Sequence, residues 1–232
     1  MTPRPALTLF CAMALRGAIN DSILPAFTRD TGILVDAHFA PTSTLIQEIT
    51  ADAPFDVIIG IDASLTALSA ASTIDAGTLT PLAKTGIGIA VAPGAMIPDV
   101  STVEALTNVL TGARSVAYPR NSPSGIYFAK LLQDLGIAER VNEHATVVDQ
   151  GFAAAALLDG RADLALQQMS ELIFFPEARI AGPLPADVQH YTAFSAGVAL
   201  QTKNSAGSGS LTMFLSTKLA RDAYSGAGLD PS

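Results

Sequence analysis

Four short polar runs stand where a strand would hand over to a helix: Ala14-Leu15-Arg16, Pro41-Thr42-Ser43-Thr44, Asn121-Ser122-Pro123-Ser124-Gly125 and Gln150-Gly151-Phe152. A helix N-terminus carries unsatisfied N–H groups and the positive end of the macrodipole, so each turn is a candidate anion seat. Several of them converging on one cleft would bind a small anion without a metal or a nucleotide. Thr42 and Ser43 could add hydroxyl donors; Thr44 with Gln47 fits a capping box, which explains one hydroxyl but not three in a row. Ser122, Ser124 and Gly125 lead the third helix, and Arg120 just upstream could offer a forked donor to a carboxylate or oxyanion. A solvated surface arginine is the alternative there. Arg16 sits in a first helical turn, where its charge opposes the dipole unless an anion or carboxylate compensates. Gly151 belongs to the fourth turn. The adjacent amides Gln167 and Gln168 end a strand-like run, where uncharged donors suit an anion or simply face solvent. Asp62 reads as a helix cap rather than a catalytic acid.

Missing motifs narrow the chemistry. There is no G-x-S-x-G, P-loop, G-x-G-x-x-G or paired-carboxylate pattern. The one cysteine, Cys11, lies in an apolar run, so neither an intramolecular disulfide nor a cysteine-based zinc motif is available. His38, His144 and His190 are scattered without metal-ligand spacing. No metal and no cofactor is expected, and any reaction must be simple proton movement. A net charge of -8 over 232 residues repels phosphate backbones, which argues against nucleic acid. Helix dipoles and local arginines act at short range, so a small anion stays compatible with that charge. No run approaches the ~18 apolar residues that membrane insertion needs.

The elements that must position these residues alternate. Strands at 7–11, 33–39, 55–60 and 87–92 are separated by helices at 17–31, 44–51 and 63–71. A second set holds helix 103–110, strand 115–118, helices 126–135 and 151–160, and strand 163–167. Strand 193–199 follows, then a flexible Gly/Ser loop at 204–210 and an amphipathic helix at 211–224. Alternation predicts an α/β fold with mainly parallel sheets. Two sets predict two lobes, 1–86 with 196–232 and 87–195, with 87–92 as the first candidate hinge strand. The N-terminus imitates a secretory signal: a short basic stretch, apolar 6–15, then small residues. Yet 7–11 also reads as the first buried strand and Arg16 interrupts the cleavage region, so the segment is read as structural. The expected location is cytoplasmic if Met1 is the native start, and periplasmic or extracytoplasmic if an export signal has been removed.

With Phe39-Ala40-Pro41-Thr42-Ser43-Thr44-Leu45, Ala53-Pro54-Phe55-Asp56-Val57 and Pro123-Ser124-Gly125-Ile126-Tyr127 in this order, the chain resembles the molybdate-binding branch of the type II periplasmic solute-binding proteins nearly end to end. The resemblance implies two α/β lobes with a tetrahedral oxyanion held in the cleft between them, and delivery to an ABC importer. It places ligand positions at Ala14, Thr42, Ser124, near Gly151, and at Gln168 or Gln167. Two of the three side-chain hydroxyls expected there are changed. Together with Arg16 and Arg120, this points to a carboxylate-bearing ligand. The same family includes aconitate isomerase, so two functions follow. One is an anion-binding solute-binding protein; the other is an isomerase of a small unsaturated tricarboxylate. For the second, the sequence offers only His38 and Glu171 as conceivable bases.

Overall fold

The computed structural model describes residues 6–149 and 151–232, so Gln150 and the basic stretch 1–5 lie outside the described residues. Two compact units form: one takes the chain up to Lys84 and again from Ala193 to Ser232, the other spans Thr85–Thr192. In the first unit, β1 (Leu7–Ala12) runs into a 3-10 turn, the short α1 (Arg16–Ala18), a π-helical turn at Ile19–Ile23 and α2 (Leu24–Thr31). β2 (Val35–Ala40) leads to α3 (Thr42–Thr50), β3 (Val57–Ile61) to α4 (Asp62–Ala70), and β4 (Thr80–Thr85) follows.

The second unit contains β5 (Ile87–Val91), α5 (Val103–Gly112), β6 (Val116–Pro119), α6 (Pro123–Asp134), α7 (Ala138–Asn142) and β7 (Thr146–Val148). It continues through α8 (Ala155–Leu158), β8 (Leu164–Gln168), α9 (Met169–Leu172) and β9 (Arg179–Pro183). β10 (Thr192–Val198), α10 (Ser205–Phe214), α11 (Lys218–Gly226) and β11 (Asp230–Pro231) return to the first unit.

Both sheets are mixed. The first has the order β11-β4-β10-β3-β1-β2, with β1 parallel to β2 and β3 and with β10 antiparallel to β3. The second has the order β7-β6-β8-β5-β9, with β6 parallel to β7 and β8 and with β5 antiparallel to β8 and β9. Parallel pairing is therefore confined to the strand-helix-strand crossovers, where it is required, and the returning strands pair antiparallel.

Strands buried on both faces explain the apolar runs. β1 sends Leu7, Leu9 and Cys11 into one core with Phe27 and Tyr224, and Phe10 into a second with Leu45, Ile58 and Leu65. In the second unit, Ile87, Ile89 and Val91 face Leu106 and Phe128. The opposite face is built from small residues, Ala90, Ala117 and Ala165, which admit the Ala153, Ala154 and Ala156 backbone closely.

Several expectations change. The strand at 87–91 is buried along its whole length between β8 and β9, so it is a core strand and not a connector. The helix expected over 151–160 is only the four-residue α8. The loop expected at 204–210 is the start of α10, where the Asn204 side chain accepts from the Gly207 N–H and Ser208 is fully buried. The single helix expected over 211–224 breaks between Phe214 and Lys218, where the Thr217 hydroxyl caps α11. Pro81 lies within β4, next to the edge strand β11.

Tyr224 is fully buried and its hydroxyl donates to the Leu215 carbonyl at 3.1 Å, tying α11 to the end of α10. Tyr224→Phe should cost about 1 kcal/mol in urea denaturation by loss of that bond. Wild-type stability in the variant would show that the hydroxyl contributes nothing.

Candidate functional site

Parallel strands linked by helices release their turns at one edge of the sheet. In the first unit that edge carries Ala14 and Thr42, both buried, with Arg16 and Ser43 exposed. The Thr42 hydroxyl accepts from the Ile61 N–H at 3.3 Å, which ties the α3 start to the end of β3. No side chain caps α3, so the Thr44–Gln47 capping box does not form. Asp62 is the first residue of α4 rather than its cap, and it accepts from the Ser195 hydroxyl at 2.5 Å. Ser195 lies opposite Gly60, so β10 begins at this same edge. Among the described residues, the Arg16 guanidinium has no hydrogen-bond or ion-pair partner.

In the second unit the corresponding edge is formed by β6 and β8, and α6 packs against both. Ser122 caps α6 by accepting from the Gly125 N–H at 3.3 Å, and it shares a 3.0 Å hydrogen bond with the fully buried Ser124. A Cβ on Gly125 would collide with the Pro119 carbonyl oxygen, so only glycine lets the helix start this close to the strand it follows. Arg120 is not a free fork. It pairs with Asp149 at 2.5 Å across the neighbouring strand ends, both side chains being more than half exposed, and that pair raises its already high pKa.

At the exit of β8, Gln167 and Gln168 are both buried and alternate in direction along the strand. Gln167 accepts through Oε1 from the Ala154 N–H at 3.4 Å and donates through Nε2 to Glu171 Oε2 at 2.8 Å. Gln168 Nε2 and Ser170 Oγ are buried with no partner among the described residues. Gly151, at φ 84°, occupies the left-handed region, and the Phe152 ring meets Phe174 and Phe175 edge-on. Burial pushes the Glu171 carboxyl up to about 7, the Gln167 amide opposing the rise; the side chain is a buried acid that titrates near neutrality. The other conceivable base, His38, is instead an exposed partner of Glu48 at 3.0 Å on the edge strand β2. The Cys11 thiol is pushed well upward by complete burial, which suits a packing role.

Three residues at these strand ends escaped the sequence: in the first unit Asp62 in its bond to Ser195 and Ser195 itself, and in the second unit Ser170. Only the register of β3 with β10 and the burial of α9 reveal them. Among the described residues no cluster of three or more His, Cys, Asp or Glu side chains is placed to hold a metal ion, and no helix is long and apolar enough to cross a membrane. A groove of about 310 Å³ lined by Val91, Met96 and Leu164 sits at the far end of the second sheet, because Val91 pairs with Leu164 while Gln168 pairs with Ile87.

Residues 7–230 match the family model of the bacterial extracellular solute-binding proteins. The chain belongs to this family. It is 27% identical over 235 residues to an aconitate isomerase from a Pseudomonas species, covering 99% of this chain and 89% of that protein. It is 29% identical over 187 residues to the molybdate-binding protein ModA of Escherichia coli K12, covering 78% and 72%. The periplasmic molybdate-binding protein of Azotobacter vinelandii superposes with a TM-score of 0.77 at 19% identity, covering 96% of this chain and 98% of that one. That likeness shows the two-lobed α/β fold of the periplasmic binding proteins.

The Glu171 carboxyl gives this family member a pH signature. Its folded value near 7 lies above the ordinary 4.5, so the native state holds the proton more tightly. The stabilisation is complete below about 4.5 and is lost as pH rises through 7, a total on the order of 3 kcal/mol. Glu171→Gln should remove that fall. Relative to wild type, the variant should gain stability between pH 5 and pH 8 in urea titrations. A constant difference across that range would contradict the assignment.

Proposed function

We propose that this protein is a solute-binding protein for a small anion, and that the anion bears carboxylates. The observation that carries the reading is Gln168 Nε2, a donor sealed from solvent with no acceptor among the described residues, on the strand against which α6 packs. An unpaired buried donor costs on the order of 1–3 kcal/mol, which a ligand oxygen would offset. Ser124, fully buried in the first turn of the 12-residue α6, adds a donor and the positive end of the helix dipole.

The other unit supplies Thr42, which still has a hydroxyl proton to donate, and the guanidinium of Arg16, unpartnered among the described residues. That one ligand is shared by both sets of donors follows from the family resemblance and is part of this proposal. An alanine at position 14 and an amide at position 168 weaken the case for a tetrahedral oxyanion, whereas a forked cation at Arg16 favours a planar carboxylate. Arg120, engaged with Asp149, recedes from the ligand set. Transport by an ABC importer, and a location outside the cytoplasm, belong to the same proposal.

A thermal-shift panel of molybdate, tungstate, sulfate, citrate, cis-aconitate and trans-aconitate tests it. Citrate or an aconitate should raise the melting temperature, and Arg16→Ala should weaken that ligand about tenfold or more, as loss of a charged hydrogen bond does. A response to molybdate alone would end the carboxylate reading.

One observation favours a second reading, isomerisation of an unsaturated tricarboxylate. Glu171 is a buried acid that titrates near neutrality, the range in which a side chain can both accept and return a proton. It would take a proton from a methylene beside a carboxylate and deliver it to the former alkene carbon, while helix N–H groups stabilise the enolate-like charge. Proton NMR of trans-aconitate with the protein should then show growth of the cis isomer. An unchanged spectrum at saturating ligand would leave binding as the function.

A further inference from the structure

Glu171 is a buried carboxyl in the second unit that anion binding alone does not use. Its Oε2 accepts from Gln167 Nε2 at 2.8 Å, which fixes the direction of that carboxamide and turns its Oε1 toward the Ala154 N–H. The Ala154 N–H belongs to the tight stretch that follows Gly151, whose left-handed backbone the Phe152 ring pins against Phe174 and Phe175. The carboxylate therefore braces, through one amide, the turn that the resemblance assigns to the ligand. On the same stretch of chain, Gln168 Nε2 and Ser170 Oγ are buried without partners among the described residues.

We propose that Glu171 is a positioning residue that couples anion binding to proton uptake: the anion binds with the Glu171 carboxyl protonated. The inference rests on the anion-binding reading above. The physics is like-charge repulsion in a poorly solvated region. A carboxylate buried beside an anion seat repels the incoming charge, and that repulsion is weakly screened because little water intervenes. Protonation removes it and leaves the Glu171 carbonyl oxygen still able to accept from Gln167, so the brace on the turn survives.

Among the described residues, the strands that pack most extensively on α9 offer no other ionisable group. The strands packed on α9 are β5 and β8, with sequences Ile-Gly-Ile-Ala-Val and Leu-Ala-Leu-Gln-Gln, and neither carries a charge. The stretch from Gly151 to Leu158 contains none either. Glu171 is the only ionisable residue between Met169 and Phe175. Burial and the Gln167 amide are the causes that set its titration, and they place it near 7, inside the physiological range.

The test is titration calorimetry of the intact chain with trans-aconitate and, separately, with sulfate, in cationic buffers of different ionisation enthalpy from pH 6 to pH 8.5. In wild type, affinity should fall by up to about tenfold per pH unit above neutrality, with close to one proton taken up per anion at pH 8. Glu171→Gln keeps an acceptor for Gln167 and carries no charge. It should bind with a pH-independent affinity once the ligand's own titration is subtracted, and with no buffer-dependent heat. Equal pH profiles in wild type and variant, or no proton uptake in wild type, would overturn this inference and leave anion binding standing. Absence of binding by either anion at every pH would overturn both.

Discussion

Parallel pairing of β1 with β2 and β3, and of β6 with β8, is the constraint from which the candidate site follows. A parallel pair cannot be joined by a hairpin, so a helix must carry the chain back and every strand releases its turn at the same edge. In the first unit this brings residues 14, 42 and 62 to one edge; in the second it does the same for 124 and 168. Mutual packing of the strands holds these turns in place. The donors are therefore prepared by the apolar cores on either face of each sheet, whose strands have little freedom to move.

A second consequence is energetic. Where β8 ends, four of five consecutive residues, Gln167, Gln168, Ser170 and Glu171, are polar and buried, and part of their hydrogen-bonding capacity is unmet. Such a cluster works against the stability of an empty protein. Under the proposed function, an oxygen-rich ligand would complete it and make it favourable. The same low solvation that makes Gln168 costly makes the charge on Glu171 costly, so the proposed affinity for an anion and the titration of the acid share one cause.

Much of this was legible in the sequence, for local reasons. The strand-to-helix turns are legible in Pro-Thr-Ser-Thr and Ser-Pro-Ser-Gly because proline rigidity, glycine freedom and, at α6, capping by Ser122 operate within a few residues. The α/β class followed from alternation. Failures came where distant partners decide. Arg120 looked free because Asp149 is 29 residues away. The Gly/Ser run near 204–210 looked flexible; its helix is secured by the Asn204 cap and by the burial of Ser208. Glu171 could not be ranked above His38 from spacing, since burial alone separates a buried acid near neutrality from an exposed ion pair.

The central claim is that an anion is held by the first turn of α6 together with the Gln168 amide. Two-dimensional amide NMR of the isotopically labelled protein, titrated with trans-aconitate and with molybdate, tests it most directly. The account predicts that the largest shifts fall on the backbone N–H groups of Ser124 and Gly125 and on the Gln168 side-chain amide. Shifts confined to the groove around Val91 and Met96, or no shifts with either anion, would contradict it.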